Sequence, residues 1–375
     1  MGFNIHGHFT LSFTENASDI IISDVEEPVY ITLSVDNYSI IQNIKFIPDS
    51  KKQVTLLLRQ LVHQIPKLAA PTSVSLKVPA LTWTAEKSDE SVSLGSYLMP
   101  GGIAKNIDTV QGRIDFFAQN FLTNQAQIIE TTPEQPQWLA FVRPYPYRTM
   151  ELFSTLYTAD GRSYTKKICQ TPDSYTFNQI DTSFSGLWSS FSIQKKLMPI
   201  AYDVYGMSVM TETLNGVTSL IDKPNHPIGQ RYLLRPSRNN DHCFGFVNGM
   251  GGFDTLLMHG PVVLKPKGEN ETFINNKIEK ELSNGYTSYW EASTGYIDSE
   301  RAAAQYQDFL KSSNRWIYRS GEWLRIIVDE YKLEHTPREL NAYTFKYHLA
   351  EKNERRYFER EELREPMMPS SFFKE

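Results

Sequence analysis

The sequence predicts a mainly β protein with some α: two β-sandwich-like modules, then an α+β domain and a charged C-terminal arm. Three observations predict it. Short β-branched and aromatic runs alternate with turn residues over most of the 375 residues. Aromatics reach 13%, with Phe and Tyr dominant, and strands favour both. Clear helical spacing of apolar residues is found in two internal stretches.

Residues 1–115 read as the first β-rich module. Residues 7–13 alternate, with His8, Thr10 and Ser12 against Phe9, Leu11 and Phe13, a half-buried strand pattern. Further strands are expected over 19–23, 29–35 and 39–47, separated by Glu26-Glu27-Pro28 and Asp36-Asn37. In 54–65 the residues Val54, Leu57, Leu58, Leu61, Val62 and Ile65 recur at helical spacing until Pro66 ends the run. Strands return over 73–78 and 81–84, and Pro100-Gly101-Gly102 marks a break before a polar segment.

Residues 116–228 read as a second sandwich-like module. The runs 138–142 and 150–157 are expected to pair across Arg143-Pro144-Tyr145-Pro146-Tyr147. Asp160-Gly161 and Asn215-Gly216 supply hairpin turns, and 202–213 alternates.

Residues 229–350 read as an α+β domain organised around one turn. Two apolar runs, 243–247 and 253–258, flank Asn248, Gly249, Met250, Gly251 and Gly252. Glycine and asparagine tolerate positive φ, so Asn248, Gly249, Gly251 and Gly252 are read as a structural turn between strands. A phosphate cradle is excluded, because no Gly-Lys-Ser/Thr follows and no helical pattern starts there. A strand is expected over 285–297, then a helix over 298–313 capped by Asp298. Its stripe is Ala302, Ala303, Tyr306, Phe309 and Leu310. A hairpin joins 315–318 to 323–328, and 341–349 alternates as a strand. The tail, 351–375, mixes both charge signs and reads as a solvated helix or, alternatively, as an arm that docks on a neighbour, with Tyr357, Phe358, Phe372 and Phe373 as candidate subunit contacts.

Composition narrows the function classes. A formal charge of −5 gives no basic footprint for nucleic acid. Cys169 and Cys243 are the only cysteines, which excludes a disulfide framework and a four-thiolate zinc site and suits a reducing compartment. No apolar run is long enough to span a membrane, and no signal core is expected at the N-terminus. His6 also stands where a myristoylation pattern wants Ser or Thr.

Candidate chemistry is sparse. His6 and His8 share a strand face but lack a completing ligand, so they read as a surface pair and no metal or cofactor is expected. His242 and Cys243, adjacent on a strand, point to opposite faces and cannot serve as base and nucleophile. Cys243 therefore reads as a buried structural residue. No Gly-x-Ser-x-Gly elbow is present. The acid pairs Asp298 with Glu300 and Glu26 with Glu27 are explained by a helix cap and a turn. Glycosidase carboxylates would be distant in sequence, so a hydrolase stays open as an alternative. Trp188, Trp290 and Trp316 are candidate glycan-contact aromatics.

Three stretches carry a family resemblance. The first is Phe121-Leu122-Thr123-Asn124-Gln125-Ala126-Gln127 with Gln135-Pro136-Gln137-Trp138-Leu139. The second is Phe246-Val247-Asn248-Gly249-Met250-Gly251-Gly252-Phe253-Asp254. The third is Ser293-Thr294-Gly295-Tyr296-Ile297, leading into the helix, the aromatic hairpin and the 341–349 strand. In this order, over about 120–350, they resemble tail or baseplate structural proteins of phages and prophages from the Bacteroidetes group. Met250 departs from the family, which carries a larger polar or aromatic residue there, and the region before 115 has no signature. The resemblance implies a non-enzymatic virion protein, made in the bacterial host cytoplasm, that repeats as a ring around the tail axis. Its implied partners are copies of itself and other tail or baseplate proteins. The alternative is a carbohydrate-binding, adhesive β-sandwich protein that contacts host surface glycans.

Overall fold

The computed structural model describes residues 4–350 except 37, 89, 104–109, 145–147, 172, 189–197, 215–216, 223–227, 276–277, 298 and 333–340. The candidate contacts Tyr357, Phe358, Phe372 and Phe373 lie outside the described residues.

The first elements are β1 (Asn4–His6), β2 (Leu11–Phe13), β3 (Ile20–Ser23), β4 (Val29–Val35), β5 (Tyr38–Phe46), β6 (Val54–Leu56), α1 (Leu58–Val62), β7 (Val74–Lys77), β8 (Ala80–Lys87) and β9 (Glu90–Met99). Strands β1-β3-β6 form one sheet and β2-β9-β8-β4-β5 another. Alternation turns Val29, Ile31 and Leu33 inward, where they meet Ile20, Ile22, Val54, Leu56 and Trp83 in a sandwich core. Two expectations are corrected here. The strand read over 7–13 as half-buried shortens to β2, Leu11–Phe13, buried on both faces; before it the chain bends at Gly7, whose φ is +84° and whose added Cβ would lie 2.0 Å from the Asp19 carbonyl oxygen. Strands β1 and β2 thus enter different sheets. The helix read over 54–65 shrinks to α1, because Val54, Thr55 and Leu56 alternate and pair with β3.

Next come α2 (Val110–Gln119), β10 (Ile128–Thr131), β11 (Trp138–Arg143), β12 (Arg148–Thr158), β13 (Ser163–Thr171), β14 (Thr176–Asp181), β15 (Pro199–Leu214), β16 (Val217–Asp222) and β17 (Ile228–Leu234). Strands β11-β14-β7 form a small sheet that packs on a larger one, β10-β17-β15-β12-β13, with β16 beside β15. The expected pairing of 138–142 with 150–157 is not made: β11 pairs with β14, and β12 with β13 and β15. The reason lies in the run itself. Leu139 and Phe141 enter one core while Ala140 and Val142 enter another, so β11 is covered on both faces. Such a strand belongs inside the molecule, and a continuous apolar run marks it. Helix α2 was hidden within the segment read as polar, and it buries Phe117 completely.

The last elements are β18 (His242–Val247), β19 (Phe253–Met258), β20 (Val262–Asn275), β21 (Ile278–Ser293), α3 (Glu300–Lys311), β22 (Arg315–Arg319), β23 (Glu322–Lys332) and β24 (Thr344–Leu349). All seven strands share one sheet in the order β19-β18-β22-β23-β24-β21-β20. Helix α3 covers it, with Phe309 and Leu310 packed among Phe244, Phe246, Ile317 and Phe345. Ser299 is its N-cap, with the Ala302 N–H donating to its hydroxyl; the expected cap, Asp298, is outside the described residues. The strand read over 341–349 starts at Thr344, and Asn341 makes an isolated bridge to Ile297.

A central core joins everything. Leu11, Phe13, Val78 and Met99 meet Phe117, Leu122, Ala140, Val142 and Phe177, and both sets meet Val247, Met250 and Phe253. The three segments read as modules thus share an interior, and β7 from the first completes a sheet of the second. Phe13 lies 4.6 Å from Phe117 and 5.7 Å from Phe116, ring centre to ring centre. Phe13→Ala should cost about 3–5 kcal/mol. Chemical denaturation should show that loss in a single transition, with far-UV CD and tryptophan fluorescence coincident; separate transitions would mean the segments unfold independently.

Candidate functional site

Residues of the first two resembling stretches converge on the turn between β18 and β19. Locally the turn closes on itself: the Asn248 N–H donates to the Gly252 carbonyl (2.9 Å), and the Gly251 N–H to the Asn248 carbonyl (3.1 Å). The Asn248 side-chain oxygen accepts from the Gly252 N–H (3.1 Å), while its amide nitrogen donates to the Leu122 carbonyl (2.8 Å). One asparagine therefore shapes the turn and ties it to a second chain segment.

Two further segments and one lysine hold it from outside. The Gly102 N–H donates to the Gly249 carbonyl (3.0 Å), and Lys67 Nζ donates to the Asn248 carbonyl (2.9 Å). The Gly249 N–H donates to Asp308 Oδ2 on α3 (3.2 Å). Backbones approach too closely for side chains. A Cβ on Gly251, whose φ is +84°, would sit 2.2 Å from the Pro100 carbonyl oxygen, and one on Gly252 2.1 Å from that of Leu122. Gly249 differs, since the nearest atom to its Cβ would be 3.8 Å away. Asn248 is fixed by its side-chain hydrogen bonds and Gly251 and Gly252 by close approach, whereas Gly249 takes part through main-chain bonds alone.

Beneath the turn sits Asp254, 1% exposed. Thr123 Oγ1 donates to its Oδ1 (2.6 Å) and the Asn124 N–H to its Oδ2 (3.3 Å), while Asn124 Nδ2 donates to Asp308 Oδ2 (2.7 Å). Burial pushes Asp254 up to about 6; its hydrogen bonds oppose this only in part, and the charge of Asp308 adds to it. A polar chain continues inward. Gln125 Nε2 donates to the Thr255 carbonyl, Thr255 Oγ1 to Gln137 Oε1, Gln137 Nε2 to Thr131 Oγ1, and Thr131 Oγ1 to Gln135 Oε1. Arg301 of α3 donates to the Gln125 carbonyl. The third stretch is stitched separately: the Thr294 N–H donates to the Tyr343 carbonyl, and the Tyr343 N–H to Thr294 Oγ1.

A second polar cluster lies on the loop after β17. Arg235 grips Asp241 with both nitrogens (2.8 and 3.0 Å), and His259 Nδ1 lies 2.9 Å from Asp241 Oδ1. Burial works against charge on Asp241, yet hydrogen bonds from Arg235, the Arg238 N–H and His259 hold it well below the usual carboxylate range.

The sequence-derived candidates fare unevenly. Trp188 is 3% exposed and donates Nε1–H to Ser154, so it offers no open face for a sugar ring. Trp290 is half-buried, stacked on Tyr347 and under Arg319. Trp316 packs against Phe253 at 5.4 Å. Cys243 is buried, and burial pushes its thiol up, which suits a structural role. Lys67, Gly102 and Asp308 were missed as partners of the turn, and Asp254 was read only as the end of the second stretch; Pro100-Gly101-Gly102 was the sole hint, read as a break. Elsewhere, a cleft of about 400 Å³ is lined by Ser75, Gln170, Thr171, Asp173, Thr176 and Asn178. A smaller one, about 160 Å³, includes Glu291 and Glu330. The hydrogen bond from Lys265 lowers Glu291, the opposite of what a general acid needs. Among the described residues no three His, Cys, Asp or Glu side chains are grouped to hold a metal, and no helix is long and apolar enough to cross a membrane.

No family model matches the chain, and no curated protein matches it.

Two outcomes test the junction. Gly252→Ala should cost at least about 3 kcal/mol, by overpacking against immovable backbone, while Gly249→Ala stays within about 1 kcal/mol. Denaturant midpoints of the two variants check this. For Asp254, the folded state keeps its proton up to about pH 6, whereas the unfolded chain releases it near 3.8. The native state therefore binds more protons between those values, and stability falls as pH rises through that window, by about 3 kcal/mol in all. Half-buried His8 and His242, lowered by partial burial, act in the opposite sense. The difference in stability between wild type and Asp254→Asn, measured from pH 4 to 7, should isolate the Asp254 slope.

Proposed function

We propose that this chain is a virion structural protein, a ring-forming subunit of a phage tail or baseplate that works without catalysis. The observation that carries the reading is where the three resembling stretches go. Thr123, Asn124, Gln125, Gln137, Asn248 and Asp254 are all engaged in tying segments of the chain together, and Asp254 is closed off from solvent. A signature whose residues are spent on internal geometry fits a protein selected for shape. Stiff sheets with open edges fit the repetition of one subunit about an axis. On this reading the partners are copies of itself and other tail or baseplate proteins, and the location is the virion tail.

One feature favours the alternative of host-glycan contact. The 400 Å³ cleft presents hydroxyl and amide groups beside Asp173, the donor and acceptor chemistry that sugars use. Glycan-array binding that disappears in Gln170→Ala or Asp173→Ala would move this reading ahead.

For the first reading, light scattering coupled to size exclusion should show assemblies larger than a dimer as concentration rises. Electron microscopy should show rings of one copy number. A monomer at every concentration, alone and with tail components, would remove it.

A further inference from the structure

Besides fixing geometry, the junction at Asn248 brings together an amine, a carboxamide and a buried acid. Lys67 reaches the turn from the first segment, with Nζ 2.9 Å from the Asn248 carbonyl oxygen across 181 positions of chain. Its stem is open to solvent, but its amine end lies against the turn. Desolvation there lowers the pKa of Lys67 from its ordinary value, although the carboxylates of Asp308 and Glu15 oppose the shift. Such an amine gives up its proton more readily, and the neutral form is a nucleophile.

The electrophile is the side chain of Asn248, which is 0% exposed. Its Oδ1 accepts from the Gly252 N–H (3.1 Å), and its Nδ2 donates to the Leu122 carbonyl (2.8 Å). The same amide donates to the carboxyl group of Asp254, which burial pushes up to about 6. Hydrogen bonds to an amide lie near its plane, so they leave unused the faces on which a nucleophile attacks. The Gly252 N–H stands where negative charge would develop on Oδ1, the position of an oxyanion donor. Asp254 stands at the nitrogen that would leave, as an acid able to protonate it. Two competing reactions are restrained. An Asn-Gly pair ordinarily closes on the following main-chain nitrogen, but here the Gly249 N–H donates to Asp308 Oδ2 (3.2 Å). Water is kept away by the burial of the amide.

We propose that Lys67 and Asn248 become joined by an intramolecular isopeptide bond, with Asp254 as the acid that assists its formation. Rotation of the lysine torsions carries Nζ from the carbonyl oxygen to Cγ of the same residue. The Nζ lone pair attacks Cγ, and the carbonyl π pair moves onto Oδ1, held by the Gly252 N–H. Asp254 gives its proton to Nδ2 and takes one from Nζ. The Cγ–Nδ2 bond breaks, the carbonyl re-forms and ammonia leaves. An amine and a primary amide thus become a secondary amide and ammonia, with Asp254 returned to its acid form and no further reactant consumed. The bond forms once and acts on no outside substrate. It ties the first segment to the β18–β19 turn by a link that denaturant does not undo, and it does not depend on the ring-subunit reading.

Mass spectrometry of the purified full chain tests this. The parent should be lighter than its sequence by one ammonia. Its tryptic digest should hold a branched peptide joining Lys67 to Asn248, with cleavage after Lys67 lost. Lys67→Arg keeps a donor for the Asn248 carbonyl but cannot close the amide, so it should keep its full mass. Asp254→Asn removes the acid and should link at least roughly 100-fold more slowly. CD verifies that both variants fold. A parent of full mass, with free Lys67 in its digest, overturns the proposal and leaves Lys67 as a hydrogen-bond donor alone. Loss of ammonia with Lys67 still cleaved, which means closure within Asn248-Gly249, overturns it as well. Linkage in Asp254→Asn at the parent's rate overturns the role given to Asp254. If either variant fails to fold, the presence or absence of the branched peptide in the parent still decides.

Discussion

Where β18 turns into β19, backbones pass so closely that there is no room for one extra carbon. Pro100 and Leu122 present carbonyl oxygens to Gly251 and Gly252 at distances only a hydrogen atom can occupy. This is a constraint of volume before it is one of energy. With the carbonyl of Gly249 taken by Gly102 and the side chain of Asn248 taken by Leu122, the relative placement of three segments is set within a few atoms. The central core of Phe13, Phe177 and Phe253 then closes around that placement. Apolar packing alone tolerates many arrangements; close main-chain contact tolerates few.

The polar groups around the junction serve the same end. Buried amides and hydroxyls add little net stability, but left unpaired they cost a good deal, so a connected set penalises every wrong arrangement. Two buried carboxylates show how context sets their behaviour. Asp241 faces a guanidinium and stays ionised; Asp254 faces hydroxyl and amide donors, with Asp308 adding like charge, and is pushed toward its neutral form. One is a clamp held by charge. The other is a joint held by shape and hydrogen bonds.

Much of the architecture was legible because alternation and turn chemistry are local. The strands 29–35, 243–247 and 253–258 and the stripe of Ala303, Phe309 and Leu310 are found where periodicity placed them. The errors arose where tertiary context decides. Trp138 to Val142 carries no sign of which strand lies beside it, only that both faces are covered. Gly7 looks like any strand residue until Asp19 crowds it. At the site, Asn248, Gly251 and Gly252 were readable as a turn, but Lys67, Asp254 and Asp308 were not, since nothing local marks an acid that accepts from a threonine 131 positions earlier. The tryptophans were chosen as residue types, and burial of Trp188 belongs to the fold, not to the type.

Strand β7 has a consequence for how the polypeptide is made. It leaves the first sandwich to become the edge of a sheet whose other members, β11 (Trp138–Arg143) and β14 (Thr176–Asp181), come much later in the chain. During synthesis from the N-terminus, Val74–Lys77 therefore emerges well before its neighbour exists, and Pro100-Gly101-Gly102 waits longer still for the loop it must touch. The nascent chain carries an uncapped strand until about half of it has been made, and Gly102 lacks its carbonyl partner until about two thirds of it has been made. Contacts this distant in sequence close slowly, and the half-made protein is the form most in need of shelter from its neighbours on the same message.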